Sequence, residues 1–488
     1  MIKEMISLLS LVFFCFTLNA QSQPTKDWSF NDEISLWKKH ETLKNAGIGI
    51  FVQDATTGEV LAKTEPQLSL APASTMKLVT TATALEILGS DFRFETQLAY
   101  SGEIKNDTLY GNLVIIGGGD PALGSEYFKE HYLENHFLDQ WTKELQALQI
   151  KHITGDIITD ATIFEEQTIP NTWIWEDLGN YYGAGACGLS VYDNMYRIHM
   201  ASPAEAGQPT RVLTTKPFIP ELELDNQVKS SKIKRDLAYV YGAPMSNQRT
   251  IRGTIPLGQA NFVIKASVPN PPFLLGWELL DRITSAQITV DGFIKSQGYN
   301  DTLPKLTLVS RTLSPTLLEI AKVTNYESVN LFAEHLLKYL AFLMNGEGST
   351  KKGTQAITDF WEKHGIDTHG FFMADGSGLS HFNALTAEQM VGILHYMKNQ
   401  SIEGSNWFSS IPCVPNGTLY YFNPVNFPNN SLRAKSGSMT RVRCYAGELT
   451  TQNGQPLLFA VFLNNFDSSH REAIRLIEDL LLRFSKSK

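Results

Sequence analysis

Ala73-Ser74-Thr75-Met76-Lys77 decides how the rest of this chain is read. A serine and a lysine three residues apart on a helix sit one turn apart on one face, ammonium beside hydroxyl. A free hydroxyl is a poor nucleophile until a base takes its proton. A lysine serves as that base only when burial or a second cation lowers its pKa. The spacing alone carries little, since about one or two chance matches are expected in a chain this long. Five occur: Ser35/Lys38, Ser74/Lys77, Ser231/Lys234, Ser349/Lys352 and Ser485/Lys488. Context separates Ser74 from the others. Pro72 and Ala73 lead in, good helix formers run from Leu78 to Leu88, and Gly89 is a stop. Taken alone, Ser74 is equally a helix N-cap, and its role depends on partners elsewhere.

The chain has 488 residues, 43% hydrophobic and 19% charged, which describes a globular protein of two or three domains. A net charge of −9 argues against non-specific binding to nucleic acid. Residues 1–20 read as a secretory signal: Lys3, an apolar core from Met5 to Leu18, then Asn19-Ala20-Gln21 for cleavage. The core is short for a membrane span and is interrupted by Ser7 and Ser10. Glu4 weakens the positive start, which leaves an uncleaved anchor open. Phe14 before Cys15 is too large for lipoprotein-type processing. Removal of the signal leaves Cys187, Cys413 and Cys444, compatible with one bridge or with three buried thiols. No His-x-x-x-His pair flanked by Glu is present, so no catalytic zinc and no other cofactor is expected.

Outward from Ser74, a helix is expected over Asp32 to Leu43, and a hairpin of Gly47–Asp54 with Glu59–Lys63 leads into the serine. Beyond Gly89, Phe92–Tyr100 and Leu109–Ile116 read as strands turned at Asn106-Asp107. Gly117-Gly118-Gly119 lacks the following Gly-Lys-Ser/Thr of a phosphate loop. A helix over Tyr127–Leu148 and a strand ending on Asp160 follow. Residues 170 to 300 are rich in Pro, Gly and short β-like runs, with Trp173 and Trp175 read as packing residues. Helical periodicity returns over Thr312–Val323, from Ser328, and over Thr354–His364, and Thr386 caps a helix to Met397. Leu432–Met439, Arg443–Thr450 and Pro456–Asn464 are closing strands, and His470–Phe484 a final helix. Its apolar side (Ile474, Ile477, Leu480, Leu481, Phe484) fits packing on that sheet better than lying on a membrane surface.

Two more motifs complete a set. Ser328-Val329-Asn330 opens a helix, and Lys435-Ser436-Gly437, followed by Ser438, lies on the first closing strand. Ser-x-x-Lys, Ser-x-Asn and Lys-Ser/Thr-Gly in this order are shared by penicillin-binding proteins and serine β-lactamases. The chain resembles the low-molecular-mass, class C penicillin-binding proteins over nearly its whole mature length. Gly117-Gly-Gly-Asp-Pro121, Gly155-Asp-Ile-Ile-Thr-Asp160, Asp375-Gly-Ser-Gly-Leu-Ser380 and Gly417-Thr-Leu419 support the resemblance. Ser436 replaces the commoner Thr, and Glu327 stands where a Lys often precedes Ser-x-Asn.

The resemblance implies an α+β fold: a transpeptidase/β-lactamase-like catalytic domain, an antiparallel sheet flanked by helices, with two smaller β-rich domains inserted after the nucleophile helix. The expected borders are 21–90 and 305–488 for the catalytic domain and 91–304 for the inserted material. It implies a serine D-Ala-D-Ala carboxypeptidase or endopeptidase of the periplasm or cell envelope, acting on peptidoglycan peptides and acylated by β-lactam antibiotics. Ser74 is then the nucleophile, Lys77 its base, Ser328 a proton relay, Asn330 a positioning group and Lys435 the cation for the substrate carboxylate. Ser436, Gly437 and Ser438 line the substrate, and Asp160 faces the free amine of a diaminopimelate side chain. The backbone N–H groups of Ser74 and Ser438 form the oxyanion hole. Asp375 braces its glycine loop. A β-lactamase or esterase on the same scaffold, or a non-catalytic binding module, are the alternatives.

Overall fold

The structure, a computed structural model, describes residues 29–132, 136–299 and 301–486. The expected signal and Cys15 lie outside them.

The closing strands are held at the centre by their composition. Pro456–Asn464 is almost wholly buried because successive side chains enter different cores. Leu458, Ala460 and Phe462 join the core around the nucleophile helix. Leu457, Phe459, Val461 and Leu463 join the core under the terminal helices. The strand is the middle of a five-stranded sheet in the order Leu432–Met439, Val442–Thr450, Pro456–Asn464, Gly47–Asp54, Val60–Thr64. Every pairing is antiparallel. Helices cover both faces, which explains the continuous apolar runs in an antiparallel sheet.

On one face lie the helices Phe30–Trp37 and His470–Lys486. Ile474, Ile477, Leu480, Leu481 and Phe484 are buried there against the sheet. On the other face the helix Met76–Leu88 is surrounded by Leu317–Tyr326, Asn330–Asn345, Thr350–Lys363 and Ala387–Asn399. It is buried from Met76 to Leu85, and its polar residues there, Lys77 and three threonines, all find partners inside. Gly89 ends it with a positive φ of 81°.

Between Leu88 and Leu317 the described residues build four further sheets: one of five and one of four strands with mixed pairing, and, within residues 195–267, one of three and one of four strands. They share a separate core that includes Leu113, Trp141, Ile157, Tyr196 and Leu275.

Several expected elements differ. Phe92–Tyr100 and Leu109–Ile116 break into Glu95–Ser101, Glu103–Lys105, Thr108–Tyr110 and Leu113–Ile116. Gly102 and Gly111 pass so close that a Cβ on Gly102 would lie 2.1 Å from the Tyr110 carbonyl oxygen. That crossing lets one hairpin serve two sheets. The helix expected from Thr312 begins at Leu317, where Thr316 and Glu319 cap it reciprocally. The preceding Leu306–Leu313 is a strand paired with Glu95–Ser101, so that sheet closes past residue 304. The helix expected to Leu43 stops at Trp37, with a single tight turn at Glu41–Leu43. Cys187, Cys413 and Cys444 are buried free thiols. Trp173 is buried, whereas Trp175 is 55% exposed and is not a packing residue.

Ile477→Ala removes a fully buried side chain between the last helix and the sheet. It should lower unfolding free energy by about 2–5 kcal/mol. Urea denaturation checks this, and the acylation rate of the folded fraction should be unchanged.

Candidate active site

Ser74 lies in a turn just ahead of the α-helix and not at its first residue. Ala73–Thr75 forms a tight 3-10 turn that feeds the helix from Met76, and Thr75 Oγ1 donates to the Pro72 carbonyl at 2.8 Å. Ala73 has a left-handed φ of 46°, a strained value for a residue with a side chain. Two glycines hold the turn in place. A Cβ on Gly378 would come within 1.9 Å of the Ala73 oxygen, and one on Gly437 within 2.3 Å of the Pro72 oxygen. Glycine is needed at both because backbone meets backbone.

Lys77 is fully buried. Its Nζ lies 3.0 Å from Ser74 Oγ, 2.6 Å from Asn330 Oδ1 and 2.7 Å from the Ser377 carbonyl oxygen. An ammonium has three N–H donors, and these three acceptors take them all. Loss of one proton leaves two N–H groups for Asn330 and Ser377, which cannot donate in return. The lone pair then faces the Ser74 hydroxyl. Burial draws the Lys77 pKa down to about 7, against the opposing pull of Asp375 and Glu334.

Lys435 is also fully buried. Its Nζ donates to Ser328 Oγ at 2.9 Å and to the Ser436 carbonyl at 2.7 Å. Burial pushes its pKa well down, and the charges of Lys77 and Arg443 push it further. Of the two causes the sequence offers for a lowered Lys77 pKa, burial or a second cation, burial is the one that acts on Lys77, and the repulsion between the two lysines falls on Lys435.

Ser328 has a φ of 59° and precedes the helix Asn330–Asn345. Its hydroxyl is bonded to Lys435 rather than to Lys77. The Asn330 amide nitrogen donates to the Tyr182 carbonyl at 2.8 Å, which fixes its oxygen toward Lys77.

On the sheet side, Leu432–Met439 is an edge strand. The Ala434 N–H bonds Pro412 O at 3.0 Å, and the Ser436 N–H bonds Thr418 Oγ1 at 3.4 Å. Both point off the sheet, and Ser438 N–H is the next in that alternation. Gly437 is buried against the nucleophile turn, with its Cβ position 3.1 Å from the Ser74 nitrogen. Ser438 is exposed, its Oγ 3.5 Å from His470 Nδ1. Asp160 stands apart. Its carboxylate accepts from Thr162 N–H at 2.9 Å and Thr162 O–H at 2.7 Å, and none of these bonds reaches the Ser74 cluster.

Two carboxylates complete the support. Asp375 is fully buried and accepts from Gly378 N–H, Ser380 N–H, Asn383 Nδ2 and Trp173 Nε1. It braces the glycine loop that presents the Ser377 carbonyl to Lys77. Glu334 is absent from the motif reading. It is fully buried and accepts from Gly376 N–H at 3.2 Å and Ser377 N–H at 2.8 Å. Burial, with Asp375 nearby, raises its pKa to about 7. Its signal in the sequence is a carboxylate inside the apolar stretch Leu331 to Leu337, one turn after Asn330.

A strained serine turn, a dry lysine touching the hydroxyl and a second lysine on an antiparallel edge strand define a serine acyl-transfer hydrolase on the transpeptidase/β-lactamase scaffold. The chain belongs to the D-Ala-D-Ala carboxypeptidase 3 (S13) family, whose model matches residues 31–483. It is 27% identical over 449 residues to the D-alanyl-D-alanine carboxypeptidase of Actinomadura sp. (strain R39), covering 89% of this chain and 80% of that one. It is 23% identical to D-alanyl-D-alanine carboxypeptidase DacB of Haemophilus influenzae, covering 88% of each. The crystal structure of penicillin binding protein 4 (dacB) from Haemophilus influenzae superposes with a TM-score of 0.79 at 22% identity, over 93% of this chain and 99% of that one. The resemblance to low-molecular-mass class C penicillin-binding proteins therefore stands.

If neutral Lys77 is the reactive form, acylation by benzylpenicillin should rise with pH through about 7 and level off above it. Stopped-flow acylation rates across pH 5.5–9 test the direction. Gly437→Ala should slow acylation by about 100-fold, because the strand must move off the nucleophile turn. Circular dichroism confirms that the variant is folded.

Proposed function

We propose that Ser74 opens the peptide bond after a D-alanine in peptidoglycan stem peptides, through an acyl-enzyme. The observation that carries this is Lys77 Nζ lying 3.0 Å from Ser74 Oγ with its other two bonds taken by the acceptor-only oxygens of Asn330 and Ser377, so that loss of one proton turns a lone pair toward the hydroxyl. Lys77 takes the Ser74 proton as the oxygen attacks the carbonyl carbon. The tetrahedral oxyanion is met by the backbone N–H groups of Ser74 and Ser438. Ser328 relays the proton taken by Lys77 to the leaving amine, which returns Lys77 to its neutral form, and Lys435, linked to Ser328, supplies positive potential for the substrate's terminal carboxylate. Water then releases the shortened peptide and restores Ser74.

The substrate strand lies along the outer edge of Leu432–Met439 past the part already bonded to Pro412 and Thr418, with Ser436, Gly437 and Ser438 beside it. The catalytic unit is read as residues 21–90 with the chain from Leu317 to 488, and the inserted material after the nucleophile helix as running past the expected border at 304 to include Leu306–Leu313. Asp160 is the proposed partner for the diaminopimelate amine, a role that rests on the family resemblance alone. The same acyl half serves a carboxypeptidase, which releases D-alanine, and an endopeptidase, which releases a cross-linked peptide. A β-lactam occupies the site as a slow acyl donor. The penicillin binding protein 4 of Haemophilus influenzae has been crystallised in complex with a β-lactam. Because the substrate lies outside the cytoplasmic membrane and the chain opens with a signal-like stretch, the periplasm or cell envelope is the proposed location.

Benzylpenicillin should give a one-to-one adduct on the peptide containing Ser74, absent in Ser74→Ala. A pentapeptide ending in D-Ala-D-Ala should lose D-alanine. Intact mass, peptide mapping and D-alanine assay read these outcomes. Rapid destruction of the drug without an adduct would instead make the protein a β-lactamase. No adduct, no drug loss and no D-alanine release would leave a binding module.

A further inference from the structure

Among residues 159–299 lies a cavity of about 410 Å³ that none of Ser74, Lys77, Ser328, Asn330 or Lys435 lines. Arg249 lines it and is only 3% exposed. One end of its guanidinium is held by backbone: Nη1 donates to the carbonyls of Ala243 at 3.2 Å, Gln248 at 3.1 Å and Ser246. Its Nε–H has no acceptor among the described residues. No carboxylate among the described residues forms an ion pair with it. A guanidinium keeps its charge when buried, so this is a cation out of water with no counter-ion. The side-chain nitrogen of Gln297, also on the lining, is likewise unpaired.

The remaining surface narrows the ligand. Ile169, Met245, Val268 and Pro272 give an apolar wall. Glu165 at the rim is already paired with Lys338 at 3.3 Å and with the Thr350 N–H at 2.8 Å. Glu166, exposed at the same rim, disfavours a second negative charge there. A pocket of this volume suits a small molecule or the end of a peptide. We propose that this cavity is a second binding site for a compact monocarboxylate with an apolar body, such as an N-acyl amino acid or a peptide C-terminus, its carboxylate set against Arg249. A carboxylate is the natural counter-ion for a guanidinium with an unpaired Nε–H, and the wall covers the ligand's apolar part.

The test is calorimetric titration of the full chain with N-acetyl-D-alanine and with its neutral amide, before and after treatment with benzylpenicillin. The acid should bind saturably at one site, and the amide should bind about ten- to a hundredfold more weakly. Prior treatment with the drug should leave acid binding unchanged. Arg249→Gln should weaken the acid to the level of the amide, and Ile169→Trp should block it by filling the cavity with Arg249 intact. No saturable binding, equal binding of acid and amide, or loss of binding after the drug would each overturn the proposal. Should both variants misfold, the acid–amide comparison on the unaltered protein still decides.

Discussion

Three acceptors around one buried nitrogen fix the arrangement on which the rest of this structure depends. The Lys77 amine is met by the Ser74 hydroxyl, the Asn330 amide oxygen and the Ser377 carbonyl. Each comes from a different stretch of chain, so the site exists only when all three are folded against one another. A charged amine is disfavoured in a dry interior, and burial makes the neutral form accessible near neutral pH. The same burial explains the surrounding carboxylates. Glu334 and Asp375 are deep because they tie down the loop that carries Ser377, and their attraction keeps Lys77 from losing its proton altogether.

The helix Asn330–Asn345 is the beam between the site and the chain that precedes it. Its apolar residues pack in the core beside the nucleophile helix and Asn330 and Glu334 face the site, while His335 and Lys338 reach the other way. His335 receives the Ser190 hydroxyl at Nε2, and its Nδ1–H donates to the Gly119 carbonyl, which can only accept. Burial holds that ring neutral, with a pKa near 3. Lys338 donates to the carbonyls of Gln167 and Ala186. These partners specify one docking geometry, since an unmet polar group there carries a large desolvation penalty.

What the sequence showed depended on whether the determinant was local. The apolar runs of the closing strands, the cap at Thr386 and the stop at Gly89 are written within a few residues of where they act. The motif serines and lysines were legible because their chemistry demands residue types at fixed spacing. Leu306–Leu313 was not, because its strand state comes from pairing with Glu95–Ser101 far back in the chain. The left-handed backbone at Ala73 and Ser328 was hidden for the same reason, being imposed by tertiary contacts on residues that do not favour it. Glu334 was visible as a charge in an apolar stretch, but its partner loop lies more than forty residues on. Asp160 is a different case: a motif resemblance picked it out, and its own hydrogen bonds are with its neighbour Thr162.

The Asn330 side chain has two ends, and its amide hydrogen is given to the carbonyl of Tyr182. Trimming the molecule to its serine, lysine and sheet therefore removes the group that keeps this amide from turning over. A flipped amide would present hydrogens to Lys77 in place of an oxygen, leaving donors opposed to donors. Miniaturisation of the scaffold must supply a replacement acceptor at that one point, and chimeras made by exchanging the long middle segment inherit or lose their chemistry according to whether a backbone oxygen still arrives there.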